Sequence, residues 1–257
     1  VPVHRFDEND IALELDVSKY DKSQGELALL LECRLMLHFG CPEEIVVLWY
    51  CCHHITENYS RAADIKLYLE WQRKSGDSMT FLGNTLHLLC VVGTVVNIPS
   101  LKLALFAGDD SLLIGSPEIL GDVDETQITR VFNFEVKKMV YKYHYFCSRF
   151  LIRDVTGWFM VPDPVKLLTK LGRNDLRNPE HVEEYRRSFV DTISAYTTMR
   201  SRLITIPALE ERYPWASGWL SLLNNLYNVA SVENFSKLYT MPISGNIDKR
   251  RQRLQDF

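Results

Sequence analysis

Apolar and polar positions alternate over Ile11-Ala-Leu-Glu-Leu-Asp16, with Ile11, Leu13 and Leu15 on one face. A period of two predicts a strand, and it delivers Asp16 to the C-terminal end, on the face of Ala12 and Glu14. The period then lengthens. Leu27, Leu30, Leu31, Leu35 and Phe39 recur at helical spacing within 23–39, and Gly40 and Pro42 stop that helix. A second helix is predicted over 43–54, a strand over 64–71, a polar loop at 72–77 and a long, largely buried helix over 78–97. Two apolar runs, 101–106 and 111–114, flank Ala107-Gly-Asp-Asp110, the pattern of a hairpin with two aspartates at its turn. Residues 123–133 read as helix, and 134–140 and 145–152 as extended chain. After Pro162 the pattern is helical, in pieces near 164–171, 179–197, 207–212 and 216–228, punctuated by Pro164, Pro179, Pro207 and Pro214. Trp215 and Trp219, at i and i+4, read as core. Mixed α and β elements come first and helices afterwards, which sets the expected boundary near residue 162.

Composition narrows the class. With 257 residues, 46% hydrophobic and 24% charged, the chain holds enough apolar surface for a core. A formal charge of −4 excludes a uniformly basic coat for nucleic acid. The charge is uneven, however: 15 basic and 22 acidic side chains in 1–162, against 14 and 11 in 163–257. An acidic part suits metal ions and a basic part suits a polyanion, although charge alone does not separate this from counting noise. Six cysteines without a CxxC pair imply reduced thiols in a cytosolic compartment. Cys51-Cys52-His53-His54 are contiguous, and adjacent residues rarely converge on one zinc, so they read as part of a helix. The longest apolar stretch, 86–98, is too short for a bilayer, which needs about 20 residues. A chain that begins with Val1 reads as an excised piece of something longer, and 244–257 reads as a frayed basic tail.

Three carboxylates are the candidate chemistry. Asp109 and Asp110 sit at the hairpin turn and Asp16 ends another strand. If those strands are neighbours, the three converge at one sheet edge, where carboxylate oxygens suit Mg²⁺ or Mn²⁺. Two such ions about 3.5–4 Å apart can activate a hydroxyl and stabilise a leaving phosphate. Gly-Asp-Asp by itself is a weak signal, since acidic pairs in turns are usually solvated; the apolar strands on either side strengthen it.

The combination and order of blocks carry more. Asp16-Val-Ser-Lys-Tyr-Asp21-Lys-Ser-Gln24 is followed by Ser75-Gly-Asp-Ser-Met-Thr80-Phe-Leu-Gly-Asn84-Thr85, then by Phe106-Ala-Gly108-Asp109-Asp110-Ser111, and last by Tyr145-Phe-Cys-Ser-Arg149. In this order the chain resembles the palm of a viral RNA-dependent RNA polymerase. More narrowly it is similar to the alphavirus-like supergroup, nearest the tobamovirus-type (virga-like) replicases of positive-strand RNA viruses. The blocks match polymerase motifs A, B, C and E, with Phe134-Glu-Val-Lys-Lys138 in the place of motif D. The match runs from about Ile11 to the helices near residue 197.

The resemblance implies an α+β fold: a right-hand polymerase palm, built as an antiparallel sheet with packed helices, over 1–162 with partial fingers, then a helical thumb with a basic tail over 163–257. It implies RNA-templated RNA synthesis, in which NTP joins an RNA 3′-hydroxyl and pyrophosphate leaves. Asp16 and Asp109 would be the principal ligands of two Mg²⁺ or Mn²⁺ ions, and Asp110 would assist as a ligand, as a partner of the primer end or as an acid behind the ligands. Asp21 and Asn84 would recognise the ribose 2′-hydroxyl, with Thr80 supporting them. A hydroxyl both donates and accepts, so an acceptor beside an amide is a sensible detector. Ser75 and Gly76 would form a template-guiding loop, with helix capping by Ser75 or Asp77 compatible with that role. Lys137 or Lys138 would protonate the leaving pyrophosphate, and Lys137 fits the Phe-Glu-x-Lys pattern better. Arg73 and Lys74 would face template or nucleotide, or form a solvated charge pair. Arg149 would contact a phosphate, or stand exposed. In the thumb, Arg186 and Arg187 are candidates for phosphates of the product duplex.

Partners implied are an RNA template and product duplex, NTPs, and methyltransferase and helicase domains on the same polyprotein. The setting implied is the host cytoplasm, in membrane-associated replication complexes, with no membrane span in this piece. Such polymerases bind triphosphate with a basic fingers segment upstream of the first motif. Only ten residues precede Ile11, so most of the fingers is expected to be missing and the piece to be weak or inactive alone. A reverse transcriptase shares the palm but would not be expected to keep the Asp21 and Asn84 pair. A catalytically incomplete polymerase-like module that binds RNA or replicase partners is the non-enzymatic alternative. A metal-dependent phosphohydrolase would explain the aspartates but not the Ser-Gly and Asn-Thr block.

Overall fold

The structure is a computed structural model and describes residues 9–74, 76–154, 157–172, 176 and 178–240. The chain divides into two units between Lys142 and Tyr143. In the first, β1 (Ile11–Val17) is followed by α1 (Tyr20–Ser23), α2 (Glu26–His38), α3 (Glu43–His54), β2 (Ile55–Ser60), β3 (Ile65–Glu70) and α4 (Thr80–Gly93). Then come β4 (Leu103–Ala107), β5 (Asp110–Gly115), α5 (Pro117–Leu120), α6 (Thr126–Phe132) and β6 (Val136–Tyr141). Four strands form an antiparallel sheet in the order β4-β5-β1-β6, and β2 and β3 form a separate ribbon. With neighbours on both sides, β1 is interior: Ala12 to Leu15 are buried on both faces, and only Asp16 emerges. That is why a strand with a polar face, as its alternation suggests, carries a buried Glu14.

The core joins Leu13 and Leu15 of β1 and Leu113 of β5 to Leu88, Val91 and Val92 of α4, with Ile128 and Phe134. Burying each aliphatic side chain contributes roughly 1.5–3 kcal/mol. A β-branched residue loses under about 0.7 kcal/mol of helix propensity. Burial therefore wins at Val91 and Val92, and α4 persists through them.

The second unit has a sheet of β7 (His144–Phe146), β8 (Arg149–Asp154) and β9 (Gly157–Pro162), in that order, then α7 (Pro164–Leu171), α8 (Pro179–Ile193), α9 (Met199–Arg212), α10 (Trp219–Val229) and α11 (Val232–Thr240). Tyr145, Phe150, Ile152 and Val161 of the sheet share a core with Tyr196, in the turn after α8, and with Ala208, Leu209, Trp219 and Leu223 of the helices. This shared core puts the division at 142/143, where the sequence pattern suggested residue 162. Asp163 is fully buried; its carboxylate caps α7 at Val165 N (2.9 Å) and accepts from the hydroxyls of Tyr145 (2.8 Å) and Tyr213. Burial and this carboxylate push both phenols well above their ordinary range.

Several expectations change. β2, β9, α5 and α11 had no predicted counterpart. α9 starts at Met199, capped by the Thr198 side chain, and runs through Pro207, which was expected to break it. Burial of Thr205, Ala208 and Leu209 around the proline holds the helix together. Trp215 is 76% exposed, not core, because α10 begins only at Trp219, which is buried. The basic tail lies outside the described residues.

Candidate active site

The hairpin between β4 and β5 places Asp109 at its tip. Ala107 pairs with Asp110, leaving Gly108 and Asp109 as a two-residue turn. Gly108 has φ +65°, the left-handed backbone that the first turn position demands and that glycine adopts without strain. Its N–H donates to Thr85 Oγ1 at 2.8 Å, which ties the tip to α4. Beside it, β1 and β5 pair from Ile11↔Gly115 to Leu13↔Leu113. At Leu15 a side chain takes over: Ser111 Oγ accepts from Leu15 N (3.2 Å) and donates to Leu15 O (3.1 Å). The direct ladder thus ends at Leu13↔Leu113, and a hydroxyl bridges the two strands short of Asp16 and the turn.

On the other side of β1, Asp16 stands opposite Lys137 of β6. Cross-strand partners share a face, so Lys137 belongs to the Asp16 face and Lys138 to the opposite one. Lys138 is occupied there: its ammonium donates to the carbonyls of Val123 (2.7 Å) and Gly121 (3.0 Å).

A cavity of about 730 Å³ opens at this end of the first unit. Asp16, Gly108 and Asp109 line it from the sheet; Lys19, Tyr20, Asp21 and Lys22 from the β1–α1 segment; Gly76, Asp77, Thr80, Phe81 and Asn84 from the loop and first turns of α4. Asp16, Asp109, Lys19 and Lys22 are exposed to it. Asp110, on β5, is exposed outside the lining.

Below the cavity runs a buried hydrogen-bond chain. Asn84 Nδ2 donates to Asp21 Oδ1 at 2.6 Å, and Gln24 Nε2 donates to Asn84 Oδ1 at 2.8 Å. Arg73 Nε donates to Gln24 Oε1 at 3.2 Å, and Arg73 Nη2 pairs with Glu32 Oε2 at 2.5 Å. Trp49 Nε1 donates to the other Glu32 oxygen at 2.8 Å. Both charged side chains are 4% exposed, and the pair lies against Gly83 of α4, where a β-carbon would intrude. Alongside, Tyr20 Oη meets His87 Nδ1 at 2.9 Å. Burial, then the charge of Arg73, lowers the His87 pKa to about 4, so its ring is neutral near pH 7. Burial raises the Tyr20 phenol far above its usual range.

Among the predicted residues, the structure brings Asp16, Asp109, Asp21, Gly76, Thr80 and Asn84 to one cavity. Ser75 lies outside the described residues. The Thr80 hydroxyl donates to Lys74 O at 2.6 Å, so it secures the loop and not the Asp21–Asn84 pair. Arg73, expected to face template or nucleotide or to be solvated, is buried on Glu32 and Gln24. The Lys74 ammonium donates to Cys52 O at 3.2 Å. Asp77 accepts from Ser78 N and bonds His53, so it does not cap α4. Arg149 is exposed on β8 of the second unit. Arg186 and Arg187 are both paired with Glu183. Cys51 and Cys52 are exposed on α3, and all six cysteines are free thiols.

Gln24, Glu32, Tyr20 and His87 escaped sequence reasoning, as did Lys19 and Lys22. Gln24 follows Asp21 by three residues, and Gly83 sits inside a helix; an interior glycine signals close packing, and that signal was there to read. Among the described residues no group of three or more His, Cys, Asp or Glu could hold a metal ion. Two carboxylates on one cavity still fit Mg²⁺, which ordinarily takes one or two and completes its shell with water and substrate phosphates. Among the described residues no helix is long and apolar enough to cross a membrane.

Comparison with known proteins follows the same line. The profile of a family described as RNA dependent RNA polymerase matches residues 2–238. An RNA replication protein of Citrus leprosis virus C is 40% identical over 235 residues, which are 91% of this chain and 9% of that protein. The replicase large subunit of Sunn-hemp mosaic virus is 34% identical over 206 residues, 80% of this chain and 13% of its own length. The methyltransferase/helicase/RNA-directed RNA polymerase of Raspberry bushy dwarf virus is 32% identical over 256 residues, 97% and 15% respectively. The chain therefore spans only a small part of the curated relatives it matches. Its fold is similar to a crystal structure of the insertion loop deletion mutant of the RNA-dependent RNA polymerase of a human picobirnavirus, with a TM-score of 0.58 at 16% identity over 99% of this chain and 49% of that one.

Proposed function

Because this chain belongs to the viral RNA-dependent RNA polymerase family of the alphavirus-like supergroup, we propose that it extends an RNA 3′-end by RNA-templated nucleotidyl transfer, with its first unit as palm and partial fingers and its second as thumb. The observation that carries the reading is the meeting of Asp16 and Asp109 with the bonded Asp21–Asn84 pair on one cavity.

Asp16 and Asp109 would hold two Mg²⁺ or Mn²⁺ ions, with Asp110 assisting. When bound, the ions would supply Lewis acidity toward the attacking hydroxyl and the departing phosphate. The chain's own groups do the rest. Lys19 and Lys22 present cationic heads at the cavity for the triphosphate. Asp21 and Asn84 offer an acceptor and a donor to a ribose 2′-hydroxyl, which favours NTP over dNTP and argues against a reverse transcriptase. Lys137, on the Asp16 face, is the choice for delivering a proton to the leaving pyrophosphate, since Lys138 is held by two carbonyls on the other face. Gly76, at φ +88°, lets the loop turn tightly where a template strand would pass. Ser75 would share that loop. Lys74 and Arg149 remain candidates for RNA phosphate.

The second unit carries 16 basic and 12 acidic side chains, which suits a product duplex. Methyltransferase and helicase partners on one polyprotein are supported by the relative from Raspberry bushy dwarf virus, a methyltransferase/helicase/RNA-directed RNA polymerase. The setting proposed is the host cytoplasm, in membrane-associated replication complexes.

The test is NTP incorporation on a primed RNA template with Mg²⁺ or Mn²⁺, using a version extended upstream, beside the same protein with Asp109→Ala. Activity lost in the variant, with strong discrimination against dNTP, is the expected result. Folded protein that binds RNA but never incorporates NTP would favour the RNA-binding module.

A further inference from the structure

The buried hydrogen-bond chain under the cavity has a direction. Arg73 has only donors, so the Gln24 atom facing its Nε must be the carbonyl oxygen. The Gln24 amide nitrogen then faces Asn84, and only the Asn84 oxygen can accept from it. The Asn84 nitrogen is thereby turned toward Asp21, whose carboxylate only accepts. An amide is nearly symmetric in shape and would otherwise sit either way round. Here one reversed amide would set oxygen against the Asp21 carboxylate, or nitrogen against the guanidinium. Arg73 is itself fixed by Glu32, and Glu32 by Trp49 Nε1. Gln24 is 4% exposed and Asn84 5%, so water does not stand in for a missing partner.

We infer that Gln24, held by Arg73 and Glu32, is a positioning residue that sets ribose selectivity by fixing which end of the Asn84 amide faces the cavity. This rests on the nucleotide-site reading above and deepens it. One hydrogen of Asn84 Nδ2 goes to Asp21, and the second is left for the oxygen of a 2′-hydroxyl. The free oxygen of Asp21 accepts the hydroxyl's proton. Gln24 touches no nucleotide; it is absent from the cavity lining.

Two substitutions separate direction from mere packing. Gln24→Glu keeps the shape but offers acceptors only, so the Asn84 nitrogen is drawn away from Asp21. Gln24→Met fills the volume and removes the relay. The probes are ATP and 2′-deoxy-ATP with Mg²⁺, bound to the chain and measured by calorimetry, with the thermal midpoint of each variant recorded. The wild-type chain is expected to bind ATP about tenfold more tightly than 2′-deoxy-ATP, the effect of about one hydrogen bond. Both variants are expected to bring that ratio near one while 2′-deoxy-ATP affinity stays within about twofold. A purely structural role for Gln24 would weaken both nucleotides together. A wild-type chain that discriminates, with variants that discriminate equally, overturns this inference and leaves the nucleotide site standing. A wild-type chain that binds neither nucleotide overturns the site reading and this inference with it. Should neither variant fold, side-chain amide exchange in the wild-type chain decides: the Gln24 Nε2 hydrogens must exchange slowly, and fast exchange overturns the relay.

Discussion

Gly83→Ala sets two effects of opposite sign against each other. By helix propensity alone, alanine inside α4 should stabilise by about 1 kcal/mol. The added β-carbon, however, would fall within contact distance of the Glu32 carboxylate and 2.7 Å from Arg73 Nη2. Those atoms are the two ends of an ion pair whose side chains are each 4% exposed, with Gln24 and Trp49 fixing their remaining groups. If the pair is forced apart, two buried charges lose their partners, at roughly 3–5 kcal/mol. If the surroundings yield instead, overpacking still costs about 1–3 kcal/mol. After the propensity gain, the net destabilisation is roughly 2–4 kcal/mol if the pair parts and roughly 0–2 kcal/mol if the surroundings yield. Urea unfolding followed by circular dichroism reads it as a lowered midpoint at unchanged slope. Replacing the pair by apolar residues, Arg73→Met with Glu32→Leu, should make Gly83→Ala neutral or favourable in that background, because the obstacle is gone. An alanine variant about 1 kcal/mol more stable than the parent, the full propensity gain, would refute the packing described here.

Acid should weaken the first unit through His87, whose pKa falls to about 4 in the fold: between its ordinary value near 6.5 and 4 the unfolded chain binds a proton the native one refuses. Stability is thus fully present above about pH 6.5 and falls by up to roughly 3 kcal/mol as pH drops toward 4; His87→Phe should flatten this slope in urea midpoints taken from pH 4 to 7. Asp163→Asn should keep the cap on α7 yet lose one of the acceptor sites serving Tyr145, Tyr213 and Val165, costing roughly 2–3 kcal/mol in thermal unfolding; an unchanged midpoint would count against that junction as a source of stability. Ser111→Ala should strand the Leu15 N–H and C=O in a buried place, at roughly 1–3 kcal/mol for each group left unpaired, whereas parental stability would mean that β1 and β5 close into direct pairing.

Local pattern made much of this legible. Alternation gave β1 to within a residue, and turn chemistry gave the Gly108-Asp109 tip, because both are dictated by neighbours in sequence. Asp21 and Asn84 were expected together and are bonded, although 63 residues separate them. Arg73 was misread because its partner Glu32 lies 41 positions earlier, and nothing local distinguishes a buried arginine from a solvated one. The ribbon strand β2 carries a mostly polar and exposed run, Ile55 to Ser60, without a buried face to produce a period. α9 defeated the proline rule because its tertiary burial outweighs one missing hydrogen bond.

The pair Glu32–Arg73 then raises a question of selection. A buried ion pair is a poor source of stability, and well-packed apolar residues of equal volume often do as well or better. Aliphatic side chains at these positions would keep α2, α4 and the intervening loop together, yet they would leave the Gln24 carbonyl oxygen without its donor and the order of both amides resting on Asp21 alone. A guanidinium cannot accept a hydrogen bond and a carboxylate cannot donate one, so a chain that begins at Arg73 and ends at Asp21 permits one arrangement of both amides. Glu32 holds that guanidinium buried and pointed at Gln24, and Gly83 is small enough to admit the pair against the helix that carries Asn84. Stability alone therefore favours an apolar floor beneath the cavity, and the polar one is explained by the direction it imposes on the residue above it.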